Sequence, residues 1–236
     1  MDRLEAVAAK CRALGSDVLV IPTDVAQREE CFNLVTQSAN RFGRLDVMLA
    51  NAGYGFLAKV HETTEEQFDD IVATNVKGTW HCMQAAAEMM LKQPSLPHRP
   101  ASVAKGHIIA MSSGAARRGL PLYGLYAMTK AAQLSLCEAM RVELLGRGVY
   151  VSSVHPMTTA TEFFEVASSK SALRSLGLSR PQSADVVGRK IVQLMANPRP
   201  ELWPVFGSSL LLALAAAIPS LGDWSMARSI WNRTRT

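Results

Sequence analysis

Cysteine is scarce in this chain: four among 236 residues, at Cys11, Cys31, Cys82 and Cys137, with no C-x-x-C pair and no histidine ladder nearby. That spacing speaks against a zinc site and against a disulfide framework, so no metal is expected and a reducing, cytoplasmic compartment is. The chain also lacks a stripe of one charge sign. Its net charge is +5 and its pI about 9.2, yet the Lys and Arg residues are scattered without interleaved aromatics. Nucleic-acid binding is therefore not expected, and the positive balance serves rather to attract an anionic small molecule. No run reaches the roughly 20 apolar residues needed to span a bilayer. The start, Met1-Asp2-Arg3-Leu4-Glu5, opens in amphipathic helix with no signal-peptide pattern, and no internal repeat or low-complexity tract follows. A soluble protein, or at most a surface-bound one, is expected.

What is present suits one α/β domain. The apolar fraction of 48% is ample for a core and 19% charged residues is ordinary for a soluble enzyme. Helical periodicity predicts helices over 1–14, 26–42, 65–91, 123–145 and 183–196, with Gly15 and Gly43 as stops. Short apolar runs predict strands at Asp17–Ile21 (DVLVI), Asp46–Ala50 (DVMLA), Gly106–Met111, Val149–Val154 and Leu202–Phe206, with a Pro-rich loop at Gln93–Ala104. Strands without a polar face must be covered on both sides, which means a mostly parallel, doubly wound sheet of Rossmann type. In such sheets ligands gather at the carboxyl ends of the strands. The domain is read over 1–206, with 207–236 as an apolar helical extension of it.

The strongest chemical signal is Tyr126-Ala127-Met128-Thr129-Lys130. Positions i and i+4 share one face of a helix, so phenol and ammonium are neighbours. A fixed cation favours the phenolate, and bringing a tyrosine from its usual pKa near 10 to about 7 takes roughly 4 kcal/mol of differential stabilisation. On its own this pattern is weak and more often describes a core tyrosine beside a solvated lysine. Ser113 changes the balance: it stands thirteen residues earlier, after an apolar strand, in Met111-Ser112-Ser113-Gly114-Ala115. A hydroxyl at a strand's carboxyl end can hydrogen-bond a substrate oxygen as charge develops there. The spacing to the tyrosine selects Ser113 over Ser112, and Tyr123 is excluded because Ala127, not a lysine, follows it by four.

Strand, SSGA, loop and YAMTK in this order resemble the core of the short-chain dehydrogenase/reductase family. The resemblance covers about residues 1–205. It implies transfer of a hydride between NADP or NAD and a carbonyl or alcohol, with a small-molecule substrate and a homo-oligomeric assembly. It further implies Tyr126 as proton donor and acceptor, Lys130 on the cofactor ribose, and Ser113 on the substrate oxygen. Asn75 resembles the helix asparagine that holds a water in the family's proton relay. Asn51-Ala52-Gly53, after the DVMLA strand, resembles the N-A-G element that borders the cofactor. Asp24 matches the acidic residue near the adenine, although Asp24 with Gln27 also reads as a helix capping box. Thr161, in His155-Pro156-Met157-Thr158-Thr159-Ala160-Thr161, falls where the family commonly contacts the carboxamide or phosphates, while Met157 stands where glycine is usual.

The family's opening strand, T-G-x-x-x-G-x-G turn, first helix and second strand have no counterpart here, so the domain reads as incomplete at its N-terminus. Without the two strands, DVLVI is expected to have no neighbour and DVMLA to form an exposed edge. The NAD or NADP choice that the second strand carries is then unreadable. At the other end, 208–221 (SSLLLALAAAIPSL) is followed by Trp224, Arg228, Trp231, Arg233 and Arg235. That run reads either as a cover for a pocket or subunit interface, or as a peripheral membrane contact through 208–231. Two alternatives therefore stand beside the oxidoreductase: a catalytically impaired relative acting as a binding or scaffold protein, and a membrane-surface reductase of lipid carbonyls.

Overall fold

A computed structural model describes residues 2–161, 163, 167 and 181–231. Its centre is a parallel sheet of four strands in the order β1 (Val47–Ala50), β2 (Gly106–Met111), β3 (Val149–Val154) and β6 (Glu201–Leu202). Register is continuous, with Val47 opposite His107 and Gly106 opposite Val149. A separate two-residue pair, β4 (Thr159–Ala160) with β5 (Gln182–Ser183), ties the loop after β3 to the chain that enters the next helix.

The strands are apolar on both faces because each face carries its own core. On one side Ile108, Ala110, Val149 and Val151 pack with Met83 and Met90 of α4 (Gly78–Lys92), Cys137 of α5 (Gly124–Glu143), and Cys31 and Val35 of α2 (Arg28–Phe42). On the other, Ile109, Val154 and Leu202 pack with Val187, Ile191 and Leu194 of α6 (Ala184–Ala196). Alternate side chains of β2 thus enter alternate cores, which is what a doubly wound sheet requires. All four cysteines are free thiols; Cys31 and Cys82 lie 3.7 Å apart, and burial pushes the Cys82 thiol up to about 12.

Several expectations are corrected. Asp17–Ile21 forms no strand, although α1 (Asp2–Ala13) ends just before it as read. A strand is made by its neighbour's hydrogen bonds, and this segment has no ladder partner among the described residues. β1 is correspondingly an edge strand, with Leu49 open to solvent at 36%. The helix expected from 26 starts at Arg28, and no capping box forms there. Instead the Asp24 carboxylate accepts from the Ala26 amide at 3.0 Å while Glu30 reaches back to the Asp24 amide at 2.6 Å. The single helix expected over 65–91 is α3 (Glu65–Val72), a π turn (Ala73–Lys77) and α4 in succession. The expected strand at 202–206 shrinks to Glu201–Leu202, since Pro204 can donate nothing to a ladder.

One consequence is acid sensitivity. His107 on β2 is buried, with Nε2 against the Ser152 hydroxyl at 2.8 Å, and burial pushes its pKa down to about 4. The unfolded chain takes up this proton near pH 6.5 and the folded chain only near 4, so stability falls as pH drops through that window. Chemical unfolding at a series of pH values should show a loss of at most about 3 kcal/mol from this group. A His107→Gln variant whose acid slope matches the parent's would disprove the assignment.

Candidate active site

The carboxyl ends of β1 and β2 and the first turns of α5 bring the expected chemical residues together. Tyr126 and Lys130 project from one face of α5, with the lysine Nζ 5.6 Å from the centre of the tyrosine ring. Ser113 leaves β2 in extended conformation and begins the 3-10 turn Gly114–Arg117, where its hydroxyl accepts from the Ala115 amide at 3.1 Å. The Ser113 side chain also stands near enough to the Tyr126 phenol to lower its pKa. Ser112 is a framework residue: it is buried and donates to the Lys130 carbonyl at 2.9 Å. Tyr123 precedes α5 and stands edge-on to Tyr126 at 6.2 Å. The loop before it holds Leu122 at φ 68°, a left-handed backbone uncommon for leucine. The Leu122 carbonyl accepts from the Ala58 amide at 2.9 Å, which pins this loop to the segment after β1.

Electrostatics here differ from the expectation. Burial pushes the Tyr126 phenol up to about 12, partly offset by the Ser113 side chain. Lys130 is itself pushed down to about 7 by burial. Desolvation disfavours both charged forms, so each group reaches toward its neutral state and the lysine does little to create a phenolate in this form. The site holds a protonated phenol at neutral pH, which is the state of a proton donor.

Lys130 Nζ donates to the Met111 carbonyl at 2.7 Å and to Gln133 Oε1 at 2.9 Å. Gln133 Nε2 in turn donates to the Asn75 carbonyl at 2.6 Å and to the Thr79 hydroxyl at 2.7 Å. Asn75 lies in the π turn, fully buried rather than on a solvated helix face. Its Oδ1 accepts from the Tyr54 amide at 3.0 Å, and its Nδ2 donates to the Tyr54 carbonyl at 2.8 Å and to the Thr129 hydroxyl at 3.0 Å. The extra residue in the π turn is what turns Asn75 inward, a frequent use of such bulges. Its amide thus fastens the chain after β1 to α5.

Asn51, Ala52 and Gly53 are exposed at the end of β1. Two glycines there allow close approach: a side chain at Gly53 would come within 3.0 Å of Asn75 and 3.6 Å of Lys130 Nζ, and one at Gly55 within 2.7 Å of Phe163 and 3.1 Å of Tyr126. The exposed turn lies beside a buried lysine, an arrangement with room and donors for the nicotinamide-ribose half of a dinucleotide. Asp24 is exposed and outside this cluster, and Thr161 is exposed, accepting from the Phe163 amide at 3.3 Å. Phe163 covers Tyr126 at 5.1 Å between rings.

Sequence reasoning passed over His155, Gln133 and Thr129. His155 is fully buried, with Nδ1 donating to the Ser113 carbonyl at 3.1 Å and Nε2 facing the Ser153 hydroxyl at 2.9 Å. It stacks on Trp203 at 4.4 Å, and Glu201, held by Arg117 and by Trp203 Nε1, lies 3.8 Å from its Nε2. Desolvation holds its pKa below the usual range. Its position directly before Pro156, at the end of β3, was the signal available. Met157 presses on Gly114, which explains a glycine next to Ser113: an added Cβ there would meet the Met157 sulfur at 2.5 Å.

The sequence profile of the short chain dehydrogenase family matches residues 1–172. Sorbitol dehydrogenase of Cereibacter sphaeroides is 33% identical over 169 residues, which are 72% of this chain and 62% of the relative. The 3-oxoacyl-[acyl-carrier-protein] reductase FabG of Staphylococcus aureus is 33% identical over 155 residues, 66% of this chain and 59% of the relative. Glycine betaine reductase ATRR of Emericella nidulans is 28% identical and is matched over 84% of this chain but 15% of its own length. The chain thus spans less than two thirds of these curated relatives. Among solved structures, an alcohol dehydrogenase of Thermococcus sibiricus complexed with 5-hydroxy-NADP superposes with a TM-score of 0.71 at 23% identity, over 86% of this chain and 80% of that one. ElxO with NADP bound gives 0.63 at 26% identity, over 76% and 73%.

Proposed function

The chain belongs to the short-chain dehydrogenase family, and from that premise we propose that it is an oxidoreductase that reduces a carbonyl with NADPH or NADH. The observation that carries this reading is the gathering of Ser113, a protonated Tyr126 phenol and Lys130, whose Nζ lies 5.6 Å from the tyrosine ring, at one end of the sheet. When bound, the nicotinamide supplies the hydride. Tyr126 then delivers its proton from the phenol oxygen to the substrate oxygen, and Ser113 donates a hydrogen bond to that oxygen as charge grows on it. Lys130 orients the ribose and, when charged, stabilises the phenolate left behind. His155 and Asn75 act by position: one holds the Ser113 carbonyl, the other ties the helix to the Tyr54 loop. A cytoplasmic homo-oligomer is the assembly this reading carries with it.

The test is a panel of aldehydes, ketones and 3-oxoacyl thioesters with either reduced nucleotide, followed by loss of nicotinamide absorbance. Reduction should be fastest below neutrality and decline as pH rises through about 7, where Lys130 loses its proton. A rate that stays level to high alkaline pH would remove the lysine charge from the reaction. Absence of both turnover and nucleotide binding would leave a non-catalytic binding role instead.

A further inference from the structure

A run of exposed apolar side chains lies at the C-terminal corner, made by α7 (Ser208–Ala217) and α8 (Pro219–Trp231). The ten residues of α7 carry no charge and no polar face beyond two serines. A helix apolar all round is ordinarily buried. Here Leu210 is 66% exposed, Leu211 68% and Leu214 54%, and Phe206 just before the helix is fully open. Only a narrow strip faces inward, where Leu212 lies over Gly114. Neither helix is long and apolar enough to cross a membrane, and α8 leaves α7 at a bend of 112°. Beyond the bend Ile218, Leu221 and Trp224 are again about half exposed or more.

The corner is a built feature. Arg118 holds it closed by donating to the Ala215 carbonyl at 2.8 Å, the Pro219 carbonyl at 3.0 Å and the Asp223 carboxylate at 2.5 Å. Asp223 is the one acidic residue in 202–236, and this contact neutralises it. The remaining charge is positive: Arg228 lies 5.4 Å over the Trp224 ring, and Arg233 and Arg235 follow in the sequence.

A patch of this kind is covered in use. Charge decides by what. The exposed apolar side chains of α7 and of the segment beyond the bend form one continuous stretch of sequence with no acidic residue but the paired Asp223. A Trp–Arg pair at the rim, with no uncompensated acid, matches the boundary between acyl chains and anionic headgroups. We propose that the α7–α8 corner docks the protein on an anionic bilayer surface, with Leu210, Leu211, Leu214, Ile218, Leu221 and Trp224 at the acyl boundary and Arg228 among the headgroups. This does not depend on the oxidoreductase reading. It sets an orientation as well, because the inner strip of α7 packs on the Gly114–Arg117 turn that directly follows Ser113.

The test is co-sedimentation of the full chain with phosphatidylcholine vesicles, with and without phosphatidylserine, at low and high salt, and requires no turnover. Binding should need phosphatidylserine, should weaken at least about tenfold at high salt, and should fall at least about tenfold in a Leu211→Asp/Leu214→Asp variant. Far-ultraviolet circular dichroism and a thermal melt keep the variant interpretable, since both positions are already exposed and its fold should match the parent's. Failure of the parent to bind either vesicle at low salt overturns the proposal. So does light scattering that shows a dimer dissolved by the same variant without vesicle binding, which would assign the corner to a second copy of the chain.

Discussion

Tyr126→Phe should abolish carbonyl reduction while leaving nucleotide affinity within a factor of about two, because the phenol acts only as charge develops on the substrate oxygen. Phenylalanine keeps the ring contacts with Tyr123 and Phe163, so the loss isolates the hydroxyl. A positioned acid is worth about 10²–10⁴-fold, and here it has no understudy: Tyr123 is buried edge-on behind it and the Ser113 hydroxyl is a far weaker acid. The measurement is kcat and nucleotide Kd for parent and variant side by side. A variant that keeps more than about a tenth of the parent kcat would show that the proton comes from elsewhere.

Asn75→Leu is expected to be the most damaging single change to the scaffold of the site. The side chains share heavy-atom count and branching, so the change removes three buried hydrogen bonds, and the larger leucine adds a packing cost in the same direction. At about 1–3 kcal/mol for each buried partner deprived of its bond, the loss is about 3 kcal/mol or more. Denaturant unfolding reads that value. Because Thr129 stands three residues after Tyr126 and donates to its carbonyl at 2.8 Å, turnover should fall further than stability alone explains. Asn75→Asp, which keeps the acceptor for the Tyr54 amide, should lie between the parent and the leucine variant in unfolding free energy. Equal stability of all three would mean that the Tyr54 loop is held by other contacts.

The legibility of the molecule was uneven for identifiable reasons. β2 and β3 begin and end where their uncharged, largely apolar runs do, because a strand buried on both faces carries no charged residue to blur its limits. The i, i+4 spacing placed Tyr126 and Lys130 on one face of α5 without any knowledge of the rest. Asp17–Ile21 has the same composition as those strands and forms none, since composition cannot supply a partner. The π turn at Ala73–Lys77 interrupts a pattern that reads as one helix, and only contacts with Tyr54, Thr129 and Gln133 show why.

Periodicity and spacing are local properties, so the sequence by itself determined the alternation of strands and helices, the two-sided sheet and the pairing of phenol with ammonium. Charge states are not local. A tyrosine pushed up to about 12 and a lysine pushed down to about 7 follow from how much water the finished fold removes around them. The same holds for Asn75, whose partners lie 21 and 54 residues away, and for His155, which reaches the Ser113 carbonyl across 42. Those contacts exist only once the sheet has brought distant segments to one end, so the tertiary structure alone decided which groups hold protons and which merely hold the groups that do.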